Sequence, residues 1–164
     1  MTESPKRPDP IVVEGARIKF KNFTGEQRQY NPAGQRNFVL LLPDELAQQL
    51  AAEGWNVRRK PGRHPEDPDE AQLTIKVKFK EPGDERGQDP IAYLIQGRRK
   101  LALDGRTVGI LDRLAPLNID LIVRPYVWDI NGNVGITAYL DEIYYTAVEG
   151  LSSKYADYEE VRER

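Results

Sequence analysis

The sequence predicts a mainly β protein with one or two short helices, arranged as an OB-fold-like five-stranded Greek-key barrel with long loops. Three observations predict it. Short runs of alternating apolar and polar residues recur between clusters of Gly, Pro and Asn, which is the pattern of half-buried strands. The longest of them, NIDLIVRPYVWDINGNVGITAYL from Asn118 to Leu140, contains Asn131-Gly132, two residues that accept the positive φ of a two-residue hairpin loop. A single clear helical stretch sits between early strands, and the remaining connections are large and polar. An antiparallel sandwich or another α+β sheet would satisfy the same pattern. At 164 residues the chain is long enough for one domain with a real core.

Taken in order, residues 1–10 carry three prolines and mixed charges and read as a flexible arm. Ile11 to Lys21 has strand character, with Arg17, Lys19 and Lys21 alternating with Ile18 and Phe20. Asn22 to Gln35 is a loop broken by Gly25, Asn31, Pro32 and Gly34. Asn37 to Leu42 is a short apolar strand. Pro43 opens a helix with Asp44 and Glu45 in its first turn, Leu46, Ala47 and Leu50 as its buried stripe, and Gly54 as its stop. Trp55 to Val57 starts another strand, with Trp55 in a packing role. Arg58 to Ala71 is a proline-rich polar loop, expected to be mobile. Leu73 to Lys80 alternates cleanly, with Leu73, Ile75, Val77 and Phe79 opposite Thr74, Lys76, Lys78 and Lys80. After a second loop, 81–90, Ile91 to Ile95 and Arg99 to Leu103 are strands broken near Gly97. Gly105 to Leu114 is a short helix, and the second hairpin strand runs on towards Tyr145 or Val148. The expected organisation is a binding domain over 11–149 and a mobile, mildly acidic tail over 150–164. There are no internal repeats.

Composition removes several function classes. Without cysteine there are no disulfides, thiolate nucleophiles or cysteine-ligated metals. His64 is the only histidine and lies in the proline-rich loop, so histidine acid–base catalysis and multi-histidine metal sites are disfavoured. No GxxxxGK[ST] occurs. Asp104, Asp112, Asp120, Asp129 and Asp141 show no spacing that singles out a metal pair, although a magnesium-dependent nuclease remains an open reading. The expectation is a non-enzyme without cofactor or metal. No apolar run approaches the roughly 20 residues of a membrane span. The first ten residues lack the apolar block of a signal peptide. A cytoplasmic location is expected. Net charge is -2, but the last 24 residues hold seven acids against three bases, leaving 21 bases and 19 acids in the body. Local clustering, not the sum, governs phosphate binding.

Folding the chain at Asn131-Gly132 sorts the hairpin into two faces. Leu121, Val123, Val127, Val134, Ile136, Ala138 and Leu140 form a core face. Arg124, Tyr126, Trp128, Thr137 and Tyr139 form the other. With this loop Trp128 faces Gly135 and Arg124 faces Tyr139, and Gly135 is expected to leave open space beside the indole for a base. Arg17, Lys19 and Lys21 lie at period two on one strand, and Lys76, Lys78 and Lys80 on another. A cationic groove with aromatics for bases is how proteins hold single-stranded nucleic acid without reading its sequence. Arg98, Arg99 and Lys100 form a further basic cluster. Each feature has a plainer reading: solvated strand faces for the lysines, core packing for the rings, an ion pair with Asp141 or Asp120 for Arg124, and a turn for the basic cluster.

The hairpin segment resembles the C-terminal block of a family of phage and prophage single-stranded DNA-binding proteins. FKNFTGEQRQYNPAGQRNF, EGWNV, and LD followed by an apolar segment before the hairpin agree with it in order, so the resemblance spans about residues 11–157. It implies an OB-fold and binding of single-stranded DNA in phage replication or recombination, and with them a bacterial host cell as the location. Carried over by position, RPYVW supplies Arg124, Tyr126 and Trp128, AYL supplies Tyr139, and RNF supplies Arg36, Asn37 and Phe38. Many such proteins recruit replication or recombination partners through an acidic C-terminus. Here Asp157, Glu159 and Glu160 follow Tyr155 and Tyr158, while Arg162 and Arg164 dilute the charge. A homo-oligomer is a further expected partner. The competing reading is a phage protein–protein interaction module, directed at a host replication or defence factor through the same aromatic face.

Overall fold

The computed structural model describes residues 7–28, 32–80, 83 and 87–148. Most of the expected arm and the whole of the expected tail, 150–164, lie outside these residues. Among the described residues the order is β1 (Ile11–Val13), β2 (Arg17–Asn22), β3 (Arg36–Leu42), α1 (Asp44–Glu53), β4 (Arg58–Lys60), β5 (Glu70–Val77), β6 (Ile91–Gln96), β7 (Arg99–Leu103), a 3-10 segment (Val108–Arg113), β8 (Pro116–Ile130) and β9 (Asn133–Ala147). The sheet is open and mixed, with main path β1-β8-β9-β5-β3-β2. It is mainly β with two short helical segments, as the alternation predicts, and is compatible with an OB-like barrel. None of the described helices is long and apolar enough to cross a membrane.

The hairpin forms in the expected register. Asn131 and Gly132 take φ of 53° and 87°. Trp128 faces Gly135 and Arg124 faces Tyr139. β9 is the strand the rest is built on. It pairs with β8 along its length, with β5 in parallel at Ala138 and Tyr139, and with β6 in parallel from Glu142 to Thr146. Opposite Ile122 and Val123, β9 carries one extra residue, Asp141, between the paired Leu140 and Glu142. This bulge shifts the strand's phase by one. Ile136, Ala138 and Leu140 point inward before it, and Ile143, Tyr145 and Ala147 after it. One strand can therefore bury a side chain at every second position while bending round a single core.

That core joins Phe23, Phe38, Leu40, Leu73, Ile75, Leu121, Val123 and Ile143, all at most 2% exposed. Each such side chain contributes about 1.5–3 kcal/mol relative to exposure. α1 covers one side with Ala47 and Leu50, and Gly54 ends it in the left-handed conformation (φ 101°). Pro43 stands one position earlier than expected, as the residue that caps the helix rather than its first member. Trp55 packs at 3% exposure and bridges to Ile136, consistent with its expected packing role.

Three local expectations are corrected. Ile11 to Lys21 is not one strand; it divides at Gly15 (φ 62°) into β1, on β8, and β2, on β3. Arg58–Lys60 belongs to a strand paired with Glu70–Gln72 rather than to the loop, since β5 offers it an edge that no periodicity reveals. Val134, placed on the core face, is 53% exposed, because the hairpin tip projects past the core that its inner residues cover.

Candidate nucleic-acid interface

The outer face of the sheet is built by register. Asn37 on β3 faces Lys76 on β5, Lys76 faces Tyr139 on β9, and Tyr139 faces Arg124 on β8. Four strands thus place an amide, an ammonium, a phenol and a guanidinium in one row. The neighbouring inward row, Phe38, Ile75, Ala138 and Pro125, is its buried counterpart. The Arg124 guanidinium lies 5.1 Å from the Tyr139 ring centroid and 4.0 Å from the Asp141 carboxylate. Tyr126, 51% exposed, meets Tyr139 edge-on, with centroids 6.2 Å apart and planes at 87°. Such a pair holds one ring upright beside another and leaves faces for a flat ligand.

Beside this row runs a groove of about 630 Å³, lined among others by Arg36, Lys76, Lys78, Phe79, Arg106 and Tyr139. Its basic lining residues are Arg36, Lys76, Lys78, Lys80 and Arg106, and its acidic ones are Asp89 and Asp104. Both acids are engaged locally. Asp89 accepts the Lys80 backbone N–H at 2.7 Å. Asp104 accepts from Arg106 N at 2.9 Å and Thr107 Oγ1 at 3.0 Å, and these donors, led by the Arg106 amide, hold its carboxyl below the usual range. Among the described residues neither Lys76 nor Lys78 has a carboxylate partner. The groove is therefore positive where a phosphate backbone could lie.

Arg36 plays a fixed part. Its guanidinium donates to Phe23 O (3.1 Å) and Gly105 O (2.7 Å) and stands 5.3 Å from the Phe79 ring. It ties the groove wall together while facing into it.

The aromatic end differs from expectation at one point. The space beside Trp128 is not open: a Cβ built on Gly135 would lie 2.2 Å from Trp128 Cζ2. The benzene ring of the indole occupies the place of a Gly135 side chain, and the missing side chain serves Trp128 itself rather than a ligand.

The β2 cations do not form the predicted stripe. β2 carries a bulge between Lys19 and Asn22, where Phe20 adopts φ 54°. A bulky residue there costs about 1–3 kcal/mol. The bulge turns Lys21 inward, where its ammonium donates to Leu111 O (2.9 Å), Leu114 O (2.7 Å) and Tyr145 Oη (2.7 Å). Burial lowers the Lys21 pKa, partly offset by the charge of Asp112. Burial, then the same charge, pushes the Tyr145 phenol up to about 12. The Tyr145 hydroxyl donates to Leu114 O. Lys21 is thus an internal brace; strict alternation would have kept it outside. Lys19 reaches Glu70 at 2.8 Å, and Arg17 stays exposed on the same edge.

Arg98, Arg99 and Lys100 lie apart from the groove lining, at the β6–β7 turn. The Lys100 ammonium stands 4.2 Å from the Tyr93 centroid, and Tyr93 stacks on Tyr144 at 5.6 Å. Sequence reasoning missed Tyr93, Tyr144, Phe20, Phe79 and Arg106. For Tyr93 and Tyr144 the signal was only strand alternation, and their partnership needs the parallel β6–β9 pairing.

A family model describing a phage ssDNA-binding domain matches residues 1–164. No curated protein matches the sequence. Among solved structures the chain is similar to the single-stranded DNA-binding protein from bacteriophage Enc34 in complex with ssDNA. The TM-score is 0.52 at 10% identity, covering 84% of this chain and 86% of that one. Another structure of the Enc34 protein gives 0.51 at 11% identity, with 83% and 79% covered. At such identities the likeness speaks for the fold, while the family match spans the whole sequence: this chain belongs to the phage ssDNA-binding domain family.

Proposed function

We propose that this protein coats and protects single-stranded DNA during phage replication or recombination in the cytoplasm of a bacterial host, and that it does so by binding, without catalysis. The observation that carries the reading is the transverse row Asn37–Lys76–Tyr139–Arg124 beside the basic groove. Bases stack on Tyr126, Tyr139 and the outer side of Trp128, at about 1–3 kcal/mol each. Phosphates lie along Lys76, Lys78, Lys80 and Arg124, and their neutralisation releases counterions. Arg36 shapes the groove wall. Arg17 and Lys19 act at the β2 edge, and Arg98, Arg99 and Lys100 form a peripheral cation cluster. Residues 11–149 act as the binding domain, with 1–10 as an arm and 150–164 as a partner-recruiting tail.

A titration of labelled single-stranded and duplex oligonucleotides at two salt concentrations tests this. Preferential single-strand binding that weakens with salt is expected. Tyr126→Ala with Trp128→Ala should lower affinity at unchanged secondary structure. An absence of oligonucleotide binding would overturn the reading in favour of a protein-docking role for the same face.

A further inference from the structure

The β2 bulge places a side chain where neither alternation nor the groove calls for one. Phe20 is 64% exposed although it is a large aromatic, and it holds a left-handed backbone conformation (φ 54°) that glycine or asparagine would adopt with less strain. The Lys60 ammonium stands 5.6 Å from its ring centroid. Lys19 is its chain neighbour, and Arg17 is exposed on the same strand. Exposure shows that the ring is not retained for the core. The backbone shows that the position disfavours the residue it carries. Strain of this kind concentrates where a side chain has work outside the fold.

From this we infer that Phe20 is a second base-stacking platform, with Lys60 as its phosphate contact, at the far end of a path that begins at Tyr126 and Tyr139. The inference rests on the single-stranded DNA reading above. Phe20 lies beside the β2–β3 pair Lys19–Val39, and Val39 faces Thr74, two residues from Lys76 on β5. From β9 the path crosses β5 and β3 to β2, three strand spacings or roughly 14 Å. Lys76 and Thr74, both exposed, lie between the two aromatic ends. A strand lying across the sheet in this direction would meet a ring, the Lys76 ammonium and a second ring. The spacing requires an oligonucleotide of several nucleotides to engage both ends, within the range of about 4–16 for such domains.

The experiment is a length series of oligodeoxythymidylates against wild type, Phe20→Gly, Phe20→Asn and Phe20→Tyr. For oligonucleotides long enough to span both ends, Phe20→Gly and Phe20→Asn should lose about 5- to 150-fold in affinity. The shortest ones that bind should show no change, and Phe20→Tyr should restore wild-type binding. Glycine and asparagine relieve the backbone, so both variants should melt at or above the wild-type temperature. Equal affinity of wild type and Phe20→Gly at every length overturns the inference while leaving the groove reading intact. A loss of affinity together with a lower melting temperature in both variants assigns the ring to packing and overturns it as well. If wild type binds no oligonucleotide, the functional reading itself has failed.

Discussion

Gly135→Ala tests the packing that organises the aromatic face. The new Cβ would lie 2.2, 2.6 and 2.8 Å from Trp128 Cζ2, Cε2 and Cη2. Carbon atoms sit at about 3.5–4.0 Å in ordinary contact, so the indole has to retreat by more than about 1 Å. Overpacking of that size costs about 1–3 kcal/mol. Alanine is more favourable than glycine inside a strand by about 0.5–1 kcal/mol, which offsets part of it. The net expectation is a destabilisation of about 0.5–2 kcal/mol, read from urea unfolding by circular dichroism so that the signal does not depend on the displaced tryptophan. The decisive arm repeats the substitution in Trp128→Ala. With the indole gone the clash vanishes and only the backbone term remains, so Gly135→Ala should then stabilise by about 0.5–1 kcal/mol. A change of sign between the two backgrounds is the coupling energy expected of two residues in contact. If Gly135→Ala costs the same in both, the indole does not rest on Gly135 in solution and the account of this face is refuted.

Lys21→Met should destabilise by about 1–3 kcal/mol, since Leu111 O, Leu114 O and Tyr145 Oη lose a shared donor, yet leave oligonucleotide affinity unchanged. A marked affinity loss in this stably folded variant would return Lys21 to the binding surface. Lys76→Glu should weaken single-strand binding most at low salt and flatten the plot of log affinity against log salt by about one charge or more; an unaltered slope would remove Lys76 from the phosphate path. The Tyr145 phenol, raised from 10.0 to about 12, binds its proton more tightly folded than unfolded. Its contribution to stability is full below about pH 10 and is lost as pH rises through about 12. Lys21, whose pKa is lowered, contributes with the opposite sign as pH rises past its own, so the loss is best isolated by comparing Lys21→Met with Lys21→Met/Tyr145→Phe. Equal alkaline unfolding of the two would show that Tyr145 is not the group responsible.

The hairpin was legible because its information is local. Asn131-Gly132 dictates the loop, the loop dictates the register, and a side-chain period of two then sorts Arg124, Tyr126, Trp128 and Tyr139 from Val123, Ile136 and Ala138. The Lys76 face and the helix stop at Gly54 were legible for the same reason. Lys21 and Phe20 were not, because one inserted residue in β2 reverses which side chain faces out, and nothing in RIKFKN marks it. The bulge at Asp141 is equally silent in sequence, yet it lets β9 serve β5 with one half and β6 with the other. Gly135 was recognised as space, but what fills a space is a matter of packing.

By itself, then, the sequence determined the β character, the hairpin with its register, and the chemistry of a face that carries aromatics beside cations. Only the tertiary structure decided which strands lie next to one another, and so that Asn37, Lys76, Tyr139 and Arg124 form one row. It also decided that Lys21 serves the interior while Phe20 faces solvent. The physical reason is range. Turns and alternation act over a few residues and can be read along the chain, whereas parallel pairing and bulges are settled by the core that distant segments share.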